Sequence, residues 1–221
     1  MKSDGFRGPF GSGLVTPEVF YRLPFILKAM KGVHSIVIAH DGRPSSPLLY
    51  DALLKGACSA GVKVLSADVL PTPIIAKWAK EEGVCGLMVT ASHNPVTDNG
   101  LKILRPQDQL TPEQISDLMT RLTQPVTQGV TESVTNTQQE MIDAYLNWLG
   151  QPQFPAFKCL VDTAHGAWFP HLDVLAHLGL QVTNMHDQWR PEDINQSGSL
   201  FINRLSHEPY DYVIAFDGDG D

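Results

Sequence analysis

Residues 84–102 read VCGLMVTASHNPVTDNGLK, and the fold turns on the short apolar run that opens this stretch. Residues 84–90 have the length and composition of a buried strand, and the pattern occurs twice before them. HSIVIAH at 34–40 and VKVLSAD at 62–68 also read as strands. Between them, Ser46-Pro47 and Thr72-Pro73 each place a hydroxyl residue ahead of proline, the form of a helix start. Leu49, Leu53 and Ala57 then make an apolar stripe that Gly61 ends. Upstream, Thr16-Pro17-Glu18 opens another helix, with Val19, Leu23, Ile26 and Met30 on one face and Pro24 as a kink point. Strands joined by helical crossovers imply a largely parallel sheet.

Downstream of residue 105 the chain becomes rich in Gln, Thr and Pro, with a helix over 111–122 opened by Thr111-Pro112. The segment TQPVTQGVTESVTNTQQ (123–139) reads as loop or irregular strand. Residues 140–149 form an amphipathic helix carrying Met141, Tyr145 and Trp148. The rhythm then resumes: strand 157–162, helix 167–177, strand 180–185 and strand 211–216. The expected fold is α/β, as two successive three-layer α/β units with mixed, largely parallel sheets. The expected division is 1–135 and 136–221.

Composition narrows the function. With 43% hydrophobic and 18% charged residues, the 221-residue chain has material for a sizeable core. A net charge of −8, spread along the chain, disfavours a nucleic-acid surface. No apolar run has spanning length, so no membrane partner is expected. Cys58, Cys85 and Cys159 lie far apart without metal-ligand spacing, which points to reduced thiols and the cytoplasm. Asn195-Gln-Ser fits a glycosylation sequon, a motif short enough to recur by chance.

Two loops carry the chemistry. Ser92 follows a strand end, where parallel sheets build ligand sites, with His93, Asp98 and Lys102 close in sequence. Asp98-Asn99-Gly100 reads as a tight turn that folds Lys102 back toward Ser92. On this pattern alone, a polar surface turn and a catalytic loop stand level. The other loop is DGDGD at 217–221, directly after the strand. Asp217, Asp219 and Asp221 repel one another unless a cation neutralises them, and oxygen-only ligands favour a hard ion such as Mg²⁺. Its alternative is a solvated acidic loop. Arg7, between glycines on an extended loop, is placed to clamp a phosphate. The 40–46 loop, HDGRPSS, either forms an Arg43–Asp41 pair at a helix entry or lines a phosphate site.

Taken in order, these motifs resemble the α-D-phosphohexomutase superfamily. TASHNP followed by DNGLK is similar to its phosphoserine loop and DGDGD to its magnesium loop. SDGFRG and DGRPSS are similar to its N-terminal and helix-entry loops. LVDTAHGA and DINQSGS resemble two further motifs, with His165 where asparagine is usual. The resemblance implies an intramolecular phosphotransferase that moves a phosphoryl group between O1 and O6 of a hexose or hexosamine phosphate through a bisphosphorylated intermediate. It leans toward phosphoglucosamine mutases over phosphomannomutases and phosphoglucomutases. Ser92 would carry the phosphoryl group, with His93, Lys102 and Arg7 as catalytic neighbours. Arg7, Arg43 and Asn94 would bind phosphate. Asp217, Asp219 and Asp221 would hold Mg²⁺, a phosphoserine oxygen of Ser92 completing the shell. The implied partners are a sugar phosphate and its 1,6-bisphosphate; oligomeric state stays open. In the resembled family two further domains, III and IV, follow the acidic loop, so the 221 residues are expected to be an N-terminal half, inactive alone. Two more distant readings are a haloacid-dehalogenase-like phosphatase using Asp217 as nucleophile, and a non-catalytic sugar-phosphate or metal-binding module.

Overall fold

The computed structural model describes residues 5–29, 33–106, 110–122, 126, 132–150, 155–206 and 208–221. Met30, the first residues of SDGFRG and most of 123–131 fall outside that set. The elements run β1 (Gly5–Pro9), α1 (Pro17–Ala29), β2 (Ser35–His40), α2 (Ser46–Ala60), β3 (Lys63–Val69), α3 (Thr72–Glu82), β4 (Cys85–Val89) and β5 (Asp98–Leu104). They continue with α4 (Pro112–Arg121), β6 (Val134–Asn136), α5 (Gln138–Leu149), β7 (Lys158–Asp162), α6 (Leu172–Ala176), β8 (Gln181–Asn184) and β9 (Tyr212–Ala215).

Six strands form one mixed sheet in the order β1-β5-β4-β2-β3-β6. β4, β2, β3 and β6 are parallel, while β5 runs antiparallel to both β4 and β1. Alternation along β2 sends Ile36 and Ile38 to one face and Val37 and Ala39 to the other. The first face is covered by α1 and α2 through Phe20, Leu23, Leu49 and Leu53. The opposite face is covered by α3 and α5 through Ile74, Ile75, Met141 and Ile142. Trp168 and Val174, from beyond β7, join this second cluster, so the later part of the chain packs onto the same side. The second sheet has three parallel strands, β8-β7-β9, around Cys159, Val161 and Leu175.

Three local expectations change. Gly5–Pro9, expected as an extended loop, is an edge strand paired with β5, with Arg7 opposite Gly100. Asp98-Asn99-Gly100 opens β5 and makes no turn. Gly100 is required there for close strand approach, since a Cβ would lie 2.2 Å from the Phe6 carbonyl oxygen. The helix expected over 167–177 is a short 3₁₀ turn at Phe169–His171 followed by five-residue α6, because Pro170 interrupts it. The expected division at 135 falls within β6, which pairs with β3, and α5 packs on α3. We therefore propose that the first unit runs through Leu149.

Candidate active site

The Ser92 loop connects antiparallel β4 and β5, and Arg43 organises it. Arg43 is fully buried, and its five N–H donors have five acceptors. Nε donates to Asp41 Oδ2 at 2.8 Å. Nη1 donates to the carbonyls of Pro95 (2.5 Å) and Asp98 (3.1 Å). Nη2 donates to the carbonyls of Ser92 (2.7 Å) and Asn94 (2.9 Å). The Arg43–Asp41 alternative is therefore the one realised. Arg43 keeps no donor for a ligand phosphate, which corrects its phosphate-binding role. Asp41, also fully buried, further accepts from Ser46 Oγ at 2.9 Å and Thr90 Oγ1 at 2.7 Å. Thr90 Oγ1 in turn accepts from the Ser92 N–H at 2.8 Å. Ser92 is held at φ 53°, a conformation that a bulky residue adopts at a cost.

That conformation points Ser92 Oγ at the acidic loop, where it donates to Asp217 Oδ2 at 2.7 Å. Carboxylate oxygens of Asp217, Asp219 and Asp221 lie within 4.8 Å of one another. Lys102 Nζ is the cation among them, 2.6 Å from Asp219 and 3.2 Å from Asp221. It arrives by strand pairing, as Lys102 sits opposite Met88 on β4 and Gly5 on β1. Burial pushes the Asp217 carboxyl up to about 7, reinforced by the Asp219 charge. For Lys102 burial acts downward, but Asp219 and Asp221 outweigh it and hold the ammonium above its ordinary value. Among the described residues, one lysine facing three carboxylates leaves the loop short of positive charge. Asp219 is fully buried, and its Oδ1 has no hydrogen-bond partner among the described residues. An all-oxygen donor set with an orphaned buried oxygen fits a hard divalent cation.

The acidic loop is pinned from both units. Thr72 at the start of α3 donates through its hydroxyl to Asp219 Oδ2, and its N–H donates to the Asp219 carbonyl at 2.8 Å. Thr72 had read as a helix cap; Pro71 takes that position without a side-chain cap bond. Trp168 Nε1 donates to the Gly220 carbonyl at 2.9 Å, and the Ala167 N–H to that of Gly218 at 2.9 Å. Asp162, at the end of β7, gathers the second unit's loops by accepting from Ala164 N–H, Ser197 Oγ and Gly198 N–H. His165 has φ 53° and stands 4.0 Å, ring to ring, from His186. Burial, then His186 and Arg190, lowers its pKa.

A cavity of about 520 Å³ is lined by Arg7, Ser12, His93, Asn94 and Lys102 among others; it reaches the residues that follow Ser92 but is not lined by Ser92 itself. Arg7 and His93 are exposed, and the Asn94 amide donates to Asp98 Oδ2 at 2.8 Å. The structure thus gathers Ser92, Lys102 and the three aspartates, with Arg7, His93 and Asn94 around the cavity. Thr72, Thr90 and Asn195 were missed. Most of their contacts cross between distant parts of the chain, although Thr90 also accepts the Ser92 N–H two residues on; the places of Thr90 within TASHNP and of Asn195 within DINQSGS were the available signals.

The family model described as phosphoglucomutase/phosphomannomutase, alpha/beta/alpha domain I, matches residues 1–129. The chain belongs to the phosphoglucomutase/phosphomannomutase family. A phosphoglucosamine mutase from Rubrobacter xylanophilus is 34% identical over 99% of this chain and 51% of its own length. One from Desulforudis audaxviator is 31% identical, with 99% and 53% covered. The chain spans about half the length of the curated relatives it matches. Among solved structures, a phosphoglucomutase/phosphomannomutase family protein from Burkholderia thailandensis superposes with a TM-score of 0.78 at 23% identity, over 99% of this chain and 52% of that one. That likeness shows the family's α/β fold. Among the described residues, no helix is long and apolar enough to cross a membrane.

Proposed function

We propose that this chain is the N-terminal part of a cytoplasmic phosphohexomutase, leaning toward phosphoglucosamine mutase, with Ser92 as the phosphoryl carrier. The observation that carries the reading is the 2.7 Å contact between Ser92 Oγ and Asp217 Oδ2, which joins a nucleophile loop to a carboxylate cluster. A phosphoserine brings nearly two negative charges at neutral pH, so beside three aspartates it requires a cation. Asp217, Asp219 and Asp221 are the residues that would hold Mg²⁺, which when bound would neutralise charge on the transferring phosphoryl group. Lys102 supplies fixed positive charge from the cavity side, and Arg7 and His93 offer donors where a sugar phosphate would enter. The buried Asp41–Arg43 pair keeps the loop in shape so that Oγ needs little reorganisation to accept a phosphoryl group. Sugar selection belongs to the remaining half of such a protein, and the likeness to phosphoglucosamine mutases supports a hexosamine phosphate.

The test is intact mass after incubation with glucose 1,6-bisphosphate and Mg²⁺. One phosphate adduct is expected on the wild-type chain and none on Ser92→Ala. An adduct that persists in Ser92→Ala and disappears in Asp217→Ala would overturn the reading in favour of an aspartyl phosphatase. A wild-type chain that takes up no phosphate would favour a non-catalytic module.

A further inference from the structure

Asn195 belongs to the second unit but grips the first unit's nucleophile loop. Its Nδ2 donates to the Ser92 carbonyl at 2.7 Å and to the Asn94 carbonyl at 3.0 Å. Arg43 Nη2 donates to the same two carbonyls at 2.7 and 2.9 Å. The turn that presents Ser92 is therefore held between an arginine of one unit and an amide of the other. The bonds run to backbone oxygens, so they read the shape of the loop and not its side chains.

Asn195 is only 8% exposed and has φ 63°, a backbone state that asparagine and glycine tolerate best. Burial, with both bonds made through Nδ2, opposes its use as a glycosylation site. Its N–H donates to the Ala164 carbonyl, the Gly198 N–H to Asp162 Oδ2, and the Ser199 N–H to the Phe216 carbonyl. Asn195 is thus tied to the ends of β7 and β9, the frame that carries Asp217. The loops meet closely: a Cβ on Gly218 would lie 3.0 Å from both Asn195 Nδ2 and the Ser92 carbonyl oxygen.

We infer that Asn195 is a positioning residue which registers the Ser92 loop against the acidic loop, holding Ser92 Oγ at its bonding distance from Asp217. The inference rests on Ser92 being the phosphoryl carrier. A neutral amide donor is required at this position. An aspartate there would turn lone pairs toward two carbonyl oxygens and push the loop away.

Two variants separate the donor from the backbone. Asn195→Gly keeps the left-handed conformation and deletes the amide; Asn195→Asp keeps the shape and removes the donors. In both, amide hydrogen exchange at residues 92–98 of this chain should accelerate about tenfold or more, as expected when two buried hydrogen bonds are lost. Exchange in β7–β9 should stay unchanged. With phosphoserine installed at position 92, Mn²⁺ should bind more tightly than to the unphosphorylated chain. The two variants should lose most of that gain while keeping the unphosphorylated affinity. Wild-type loop exchange in Asn195→Gly, an undiminished gain, or acceleration spread equally over β7–β9 would each overturn the inference. Absence of any gain in the wild-type chain would instead sink the phosphoserine–metal reading, and the exchange result would still decide the role of Asn195.

Discussion

Asp68 shows how a single side chain ties stability to pH. It stands at φ 52° on β3 and accepts from His40 Nε2 at 3.0 Å. His40 Nδ1 already accepts the Gly42 N–H at 3.1 Å, so in the neutral ring the proton lies on Nε2 and points at Asp68. That bond lowers the Asp68 pKa from the ordinary 3.8, against the opposing effect of burial. A carboxyl held low in the folded state favours folding above its ordinary pKa, and the advantage disappears as pH falls through the folded value. Asp68→Asn should therefore flatten the dependence of the urea midpoint on pH between about 5 and 2. A variant with the wild-type acid slope would contradict this role. The effect should be small, since the Asp68 side chain is 64% exposed. His40 and Asp68 belong to segments read from sequence as consecutive strands. Their pairing was not legible, because it depends on a register shift between Ile38 and Ala39.

The helices were the most legible elements, since their signals are local. Thr111 forms a full capping box with Gln114, and Gly61 and Gly83 end α2 and α3 in left-handed conformations. The α1–α2 contact was not legible. Gly56 lies inside α2, and a Cβ there would stand 2.0 Å from the Tyr21 carbonyl oxygen on α1. Glycine is a weak helix residue, and here it lets the backbones of the two helices approach closely. Gly56→Ala gains about 1 kcal/mol in helix propensity but forces α1 away from α2. A net loss of about 2 kcal/mol is expected from denaturant unfolding. A stabilised variant would show that the two helices can separate at no cost.

The two units meet through more than the acidic loop. Trp189 lies over Gly42, where a Cβ would be 2.5 Å from its ring, and its Nε1 donates to the His165 carbonyl at 2.7 Å. Removing the ring opens a gap between the units beside the Arg43 network. Trp189→Ala should lower stability by about 2–3 kcal/mol, less than a fully buried tryptophan costs because Trp189 is half-buried. Unchanged stability would mean that Trp189 is not needed to hold the units together.

Amphipathic periods, proline and hydroxyl helix starts, and glycine stops sufficed for the α/β class and for most strands and helices. Those are properties of neighbouring residues. The motifs TASHNP and DGDGD likewise marked the two loops that meet at Ser92 and Asp217. Other features required the chain to close on itself. Asp98-Asn99-Gly100 is strand and not turn because β1 pairs beside it, and Lys102 reaches Asp219 by sheet register. Arg43 is a buried strut because five acceptors surround it in space. Asn195, which a local motif read as a chance sequon, holds the Ser92 loop because two units bring an amide and two carbonyls within hydrogen-bonding distance. A short-range pattern specifies backbone preference; which donor meets which acceptor across a hundred residues is settled only when burial removes water as the alternative partner.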